Sequence, residues 1–347
     1  MKSNYKVIGT IVLMVLLVLA LSPIYGGDAD RVGTSSGTQV LIPVGARDLA
    51  MGGANLASTS GLEAIYWNPA GLSSIESGGS AMFSTMNTLY DIRVNYFAVG
   101  TKIMNLGVLG LDIKTLSFGD IPLTTNQDYD GKSGRTFSPT YVTAGITFSK
   151  KLTDIIQVGM ATKLVYESVP RASASALAFD IGIQYHTFAG MPGLSLGIVV
   201  RNIGTDMEYS GSALLEKRDG VGVGEGPQFV SRQVMSSSLP ASVEFGFTYN
   251  RQVLAHSDLS VTSMFQNNNY EHDLIKLGGE YTYNKLVSLR AGYYMPTGGD
   301  SEEYDFSFTA GGGIQLKMGA SQLFFDYAFR SSQYFDANHV FCFKVGF

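Results

Sequence analysis

Residues 322–347 read QLFFDYAFRSSQYFDANHVFCFKVGF. Leu323, Phe325, Tyr327 and Phe329 occupy every second position, with Gln322, Asp326 and Arg330 between them. After a polar break, Phe341, Phe343, Val345 and Phe347 alternate with Cys342, Lys344 and Gly346. Successive side chains of an extended chain point to opposite faces, so each run carries one apolar and one polar side. The segment before them repeats the pattern: Phe306, Phe308, Ala310, Ile314 and Leu316 share one face, and Asp305, Ser307, Thr309, Gln315 and Lys317 share the other. Cys342 falls on the polar, inward side and reads as wall filler, not as a nucleophile.

Working outward, about 14 segments alternate in this way: 79–86, 92–103, 106–118, 137–149, 155–167, 174–187, 194–203, 237–250, 258–266, 274–283, 286–294, 304–318, 322–330 and 339–347. Each is near the ~9–11 residues that a tilted strand needs to cross a bilayer. Composition agrees, since charged residues make up only 15% of the chain and 20 Phe and 19 Tyr stand against one Trp. Aromatic side chains fit a pleated surface and a membrane interface. The net charge of -5 leaves no basic face for phosphate, which excludes nucleic acid as a partner.

Alternation by itself also describes a soluble sandwich, whose apolar faces meet each other. The connections separate the two. Short links near 104–105, 150–154, 189–192, 283–285 and 319–320 alternate with longer ones near 87–91, 119–136, 204–236, 297–303 and 331–338. Short turns at one end and long loops at the other are the asymmetry of an outer-membrane barrel with periplasmic turns. The link 251–257 is longer than this scheme prefers. The expectation is all-β: a transmembrane antiparallel β-barrel of about 14 strands.

At the other end of the chain, Lys2 and Lys6 precede an apolar run over 7–21 and small residues follow. That is the layout of a secretory signal peptide, taken as residues 1–26, and the run falls short of the ~20 residues of a membrane helix. No cysteine is near it to accept a lipid. Residues 27–77 are then expected to form a plug in the lumen of a barrel built from 78–347. Within them, 45–72 (GARDLAMGGANLASTSGLEAIYWNPAGL) abandon the alternation for small residues, glycines and Asn68-Pro69-Ala70. Proline fixes its own backbone and pushes Asn68 out of the helical region, while the Asn amide can satisfy the backbone of a buried corner.

The phase of the strands sends Asp112, Lys114, Lys163, Glu167, Asp180, Arg201, Glu244, Lys276, Glu280, Arg290, Asp305, Lys317 and Asp326 into the lumen. Both signs occur in similar number, which suits pairs that brace wall and plug better than a selective lining of one sign. The four histidines, His186, His256, His272 and His339, are scattered, and no metal, nucleophile or phosphate-loop motif is present. Gly311-Gly312-Gly313 lies within a strand, so it reads as a kink or a close approach to the plug. Neither catalysis nor a cofactor is expected. The 204–236 loop, with GVGVGEGPQ, is the longest and the candidate for partner contact.

The segments Ala46-Arg47-Asp48-Leu49-Ala50-Met51-Gly52-Gly53-Ala54 and Tyr66-Trp67-Asn68-Pro69-Ala70-Gly71-Leu72 resemble the N-terminal signature of the PorV/PorQ family, which is related to the fatty-acid transporters of the FadL type. The resemblance implies a cleaved signal and a barrel in the outer membrane of a Gram-negative-type bacterium. It further implies an N-terminal hatch whose motif falls on Arg47, Met51, Gly52, Gly53, Asn68, Pro69 and Ala70. Phe347 on its alternating strand resembles the C-terminal signal read by the barrel-assembly machinery. The implied partners are outer-membrane lipid, that machinery, and either a hydrophobic ligand or secretion partners. Three functions stay open: a barrel passing or binding hydrophobic small molecules, a type IX secretion component binding cargo or machinery at the surface, or a structural envelope barrel.

Overall fold

The computed structural model describes residues 31–75, 78–88, 92–218, 228–298 and 307–347. The expected signal peptide, residues 1–26, and Asp305 lie outside these residues. Strands in chain order are β1 (Gly79–Asn87), β2 (Arg93–Ile103), β3 (Gly107–Ser117), β4 (Ile121–Pro122), β5 (Thr136–Phe137) and β6 (Thr140–Lys151). They continue as β7 (Ile156–Val169), β8 (Ala172–His186), β9 (Leu194–Gly204), β10 (Leu215–Arg218), β11 (Gln228–Ser231) and β12 (Ser242–Leu254). The last are β13 (Ser257–Asn268), β14 (Leu274–Tyr283), β15 (Val287–Pro296), β16 (Phe308–Met318), β17 (Ser321–Arg330) and β18 (Asn338–Gly346). Among the described residues fourteen strands close one antiparallel barrel, every neighbour in the ring being the next barrel strand in the chain.

Closure is made by β1, which pairs with β2 on one side and β18 on the other. Phe347 N–H donates to Gly79 O at 3.0 Å and Gly79 N–H donates back to Phe347 O at 3.0 Å, so the last residue completes the ladder. A closed ladder leaves no barrel edge unpaired, as a bilayer demands. The two small hairpins, β4–β5 and β10–β11, were not expected from the sequence; they stand on the long connections β3–β6 and β9–β12. Three strand limits also differ. β6 starts at Thr140, after the separate pair Thr136–Phe137, and β12 starts at Ser242, beyond Pro240, which has no N–H to give a ladder. β12 also runs on to Leu254, leaving a tight turn at Ala255-His256, so the link over 251–257 conforms to the short-turn end after all.

The outward face decides between sandwich and membrane barrel. Phe83, Phe97, Leu111, Ile113, Ile146, Phe148, Leu164, Ile181, Leu289, Phe325 and Phe343 are all exposed, whereas Lys114, Glu167, Asp180, Glu244 and Asp326 are buried. Hydrocarbon outside and ions inside is the arrangement that lipid stabilises. Aromatic ladders run across the outer face, with Phe325 and Phe343 ring centroids 5.0 Å apart and Tyr327 and Phe341 5.3 Å apart.

The lumen is filled from residue 37 to residue 75 by short helical turns: Thr38–Leu41, Ala46–Ala50, Gly61–Glu63, Ala64–Trp67 and Pro69–Ser74. Leu49, Leu56, Leu62, Ile65 and Leu72 of this segment are buried. Each such side chain stabilises the packing by about 1.5–3 kcal/mol relative to exposure. The outer mouth is narrowed further by the β9–β12 connection, whose Met207 and Leu239 pack on Val40, Val165 and the β8 alanines. Among the described residues no helix is long and apolar enough to cross a membrane.

Candidate functional site

The inner segment is anchored by its own buried polar groups. Asp48 accepts hydrogen bonds from Asn55 Nδ2, at 2.7 Å, and from Thr59 Oγ1, while its carbonyl accepts from Gly53 N–H at 2.9 Å. Gly52 and Gly53 both take left-handed backbone angles, φ +67° and +68°, which end the Ala46–Ala50 turn at little steric cost. Asn68 is fully buried. Its Nδ2 donates to Leu56 O at 3.0 Å and to Ile183 O of β8 at 3.2 Å, and its Oδ1 accepts from Ala70 N–H at 3.1 Å. The Asn-Pro corner therefore caps the Pro69–Ser74 turn and ties it to the wall in one amide.

At several points where this segment rests on the wall, the wall residue is glycine. A β-carbon at Gly182 would collide with Asn68 Oδ1 and come within 2.9 Å of Pro69 Cδ; one at Gly197 would meet Ala57 Cα at 2.7 Å. At Gly292 it would collide with Gly52 N, and at Gly311 it would lie 2.6 Å from Ala50 Cβ. Gly311-Gly312-Gly313 is thus a close approach. The ladder is unbroken there: β16 pairs continuously through these glycines with β15 and with β17.

Most of the predicted lumen charges converge in two networks. The first is a ring at the short-turn end. Arg47 Nη2 donates to Glu280 Oε1 at 2.9 Å, Arg290 bridges Glu280 at 2.5 Å and Asp326 at 2.7 Å, and Lys344 bridges Asp326 at 3.0 Å and Glu63 at 3.1 Å. Glu63 Oε1 closes the ring by accepting from Arg47 N–H at 3.2 Å. Glu63 and Lys344 were missed as lumen charges, although Lys344 shares the inward phase of Cys342. The second network lies toward the long-loop end. Lys163 donates to Asp180 at 2.7 Å and to Asn202, and Asn202 N–H donates to Asp180 Oδ1 at 2.8 Å. A bulge in β9 opposite Asp180 makes this possible, because it turns Arg201 and Asn202, neighbours in sequence, both inward. Arg201 then pairs with Glu244 at 3.3 Å and lies 4.4 Å above the Tyr66 ring, and Lys114 donates to Ile42 O at 2.9 Å.

The remaining predicted charges sit apart. Glu167 accepts from Tyr209 Oη of the β9–β12 connection, and Lys276 donates to Gln266 Oε1 at 2.6 Å. Asp112 is inward beside Gly145. Lys317 keeps the inward phase but is exposed, because it sits one residue from the end of β16 at the Gly319 turn. Among the described residues no group of three or more His, Cys, Asp or Glu could hold a metal ion.

The inner segment leaves space on both sides. Toward the short turns lies a cavity of about 500 Å³ lined by Arg47, Leu62, Ile75, Glu280, Arg290, Asp326, Lys344, Lys285 and Gln315. Toward the long loops lies a pocket of about 150 Å³ lined by Leu41, Leu49, Tyr66, Trp67, Arg201, Glu244, Lys276 and Tyr294.

No family model matches the chain, and no curated protein is similar to it in sequence. Solved structures are similar in fold. The CymD monoaromatic hydrocarbon channel superposes with a TM-score of 0.53 at 13% identity, covering 88% of this chain and 98% of the channel. The chain has the fold of these outer-membrane channels. The Ralstonia pickettii toluene transporter TbuX gives the same coverage and a TM-score of 0.53 at 13% identity. A TodX monoaromatic hydrocarbon channel mutant gives 0.52 at 15% identity over 87% of this chain and 98% of its own. The 14-stranded antiparallel barrel with helical turns at its N-terminal side is common ground; the identities are too low to carry residues across.

Proposed function

We propose that this protein is an outer-membrane channel for small hydrophobic molecules, a barrel of the PorV/PorQ type whose residues 27–77 act as its hatch. The observation that carries the reading is the division of the lumen: one short segment, held on a track of wall glycines, separates an outer pocket of about 150 Å³ from an inner cavity of about 500 Å³. Such a partition has a use in a conduit, where a molecule must be admitted without leaving an open pore. The fold it shares with monoaromatic hydrocarbon channels supports the same class of cargo. The wall offers a thin place as well. An apolar dent on the lipid face, rimmed by Phe83, Leu289, Phe325 and Phe343, shares Ser288, Gly313, Ile314 and Asp326 with the inner cavity. The apolar outward face of the closed barrel supports placement in the outer membrane, and a cleaved signal peptide and recognition by the barrel-assembly machinery are parts of the same proposal.

The test is uptake. Liposomes carrying the purified barrel should accumulate toluene or a short-chain fatty acid faster than empty liposomes, and mass spectrometry of the purified barrel should find a retained hydrophobic molecule. Absence of both removes the transport reading. A second reading, a type IX secretion component, is favoured by the apolar tip of the β9–β12 connection, where Phe229 is 73% and Met235 88% exposed. Deleting the gene should then impair export of surface proteins, and intact export discards it.

A further inference from the structure

The outer pocket has a composition that a plain hydrocarbon site would not need. Its floor and walls are aromatic, Tyr66 and Trp67 from the inner segment and Tyr294 from β15, and its rim carries Arg201, Lys276 and Arg330 against Glu244 and Glu271. Arg201 Nη1 is engaged by Glu244 at 3.3 Å, but its buried Nε donates to no acceptor. Lys276 makes one short hydrogen bond, 2.6 Å to the neutral Gln266 amide, and its Nζ hangs 6.0 Å above the Tyr294 ring. A buried donor such as Arg201 Nε costs stability unless an acceptor arrives, and half-buried Lys276 has a neutral partner where a carboxylate would bind more strongly. The rim thus sets three cationic side chains against two carboxylates.

Size narrows the ligand. A cavity of about 150 Å³ is filled by roughly one benzene-sized ring. A long acyl chain does not fit, and an amine is opposed by the rim. A neutral hydrocarbon fits the rings but brings no acceptor to Arg201 Nε and no charge to Lys276.

We propose that this pocket binds one small aromatic carboxylate, its ring against Tyr66, Trp67 and Tyr294 and its carboxylate received by Lys276 and Arg201. The assignment deepens the transport reading, on which it rests for its biological sense, by naming the molecule selected before the hatch. The carboxylate gives Arg201 Nε an acceptor and Lys276 a counter-ion, and the ring replaces water on the aromatic floor.

Trp67 is the chain's one tryptophan and lines the pocket, so its fluorescence reports occupancy directly. The full-length barrel in detergent is titrated with benzoate, toluene and benzylamine. Benzoate should give a saturable change, toluene should bind about tenfold more weakly or worse, the value of one charge-assisted hydrogen bond, and benzylamine should give none. Lys276→Gln should weaken benzoate about tenfold and leave toluene unchanged. Arg201→Lys serves as the second variant, because it keeps the charge beside Glu244 and should weaken benzoate less than Lys276→Gln. Toluene binding as tight as benzoate, benzoate binding indifferent to Lys276→Gln, or no response to any of the three overturns the assignment. Uptake by liposomes is scored apart: uptake of toluene without a preference for benzoate sinks this assignment and leaves the channel, whereas saturable benzoate binding without any uptake sinks the channel and leaves the site.

Discussion

Replacing Asn68 by alanine isolates what holds the hatch in place. The amide makes three hydrogen bonds, to Leu56 O, to Ile183 O and from Ala70 N–H, at 3.0, 3.2 and 3.1 Å. Leu56 O keeps a second donor, Gln184 Nε2 at 3.1 Å, but the buried Ala70 N–H loses its side-chain acceptor. An orphaned buried N–H costs about 1–3 kcal/mol and a lost N-cap about 0.5–2 kcal/mol; because one bond serves both roles, the two are not summed and the cost is about 1–3 kcal/mol. None of this touches the closed ladder of the wall. Hydrogen exchange followed by mass spectrometry should therefore show peptides from 46–75 opening roughly 5–140-fold more often, at about tenfold per 1.4 kcal/mol, with wall peptides unchanged. Gly182→Ala strikes the same contact from the wall, where the added carbon collides with Asn68 Oδ1, and should move the same peptides. Both variants should raise leakage of small solutes from liposomes while the folded barrel keeps its gel mobility. Unaltered exchange over 46–75 in both variants would refute the anchoring role of this corner, and raised exchange without leakage would refute its gating role.

Three further outcomes are expected. Glu280→Gln leaves the guanidiniums of Arg47 and Arg290 facing each other without their shared carboxylate, so hatch opening should become easier by about 3–5 kcal/mol in the same exchange experiment, whereas a replacement at exposed Lys317 should change nothing. Gly292→Ala should displace the Met51-Gly52 turn and expose Trp67 to collisional quenchers; quenching equal to wild type counts against close contact there. In the loop between β3 and β6, hydrogen bonds from Ser133 and the neighbouring backbone hold the Asp128 carboxyl below its ordinary range. A depressed acid stabilises above its unfolded pKa and loses that contribution as pH falls through the folded one, so proteolysis of residues 125–134 should increase on acidification, and Asp128→Asn should abolish the pH dependence.

The period-two pattern determined the wall. Each of the fourteen barrel strands overlaps a segment that alternation predicted, with the limits of β6 and β12 displaced, because a strand between lipid and lumen must sort its side chains by position and leaves that sorting in the sequence. Chain order then fixed the pairing, since each strand meets the next through a turn or loop. Alternation also assigned the inward phase of Asp326, Glu280 and Arg290. It could not say which charges would meet. The ring from Arg47 through Glu280, Arg290, Asp326 and Lys344 to Glu63 joins residues up to 281 positions apart, and the contact exists only once the barrel has closed around the segment. The bulge that turns both Arg201 and Asn202 inward broke the very period used to read the strand. The outer pocket belongs wholly to the tertiary structure: Trp67 and Lys276 become neighbours because a helical turn lies across the lumen, a placement set by packing against wall glycines and not by any local propensity.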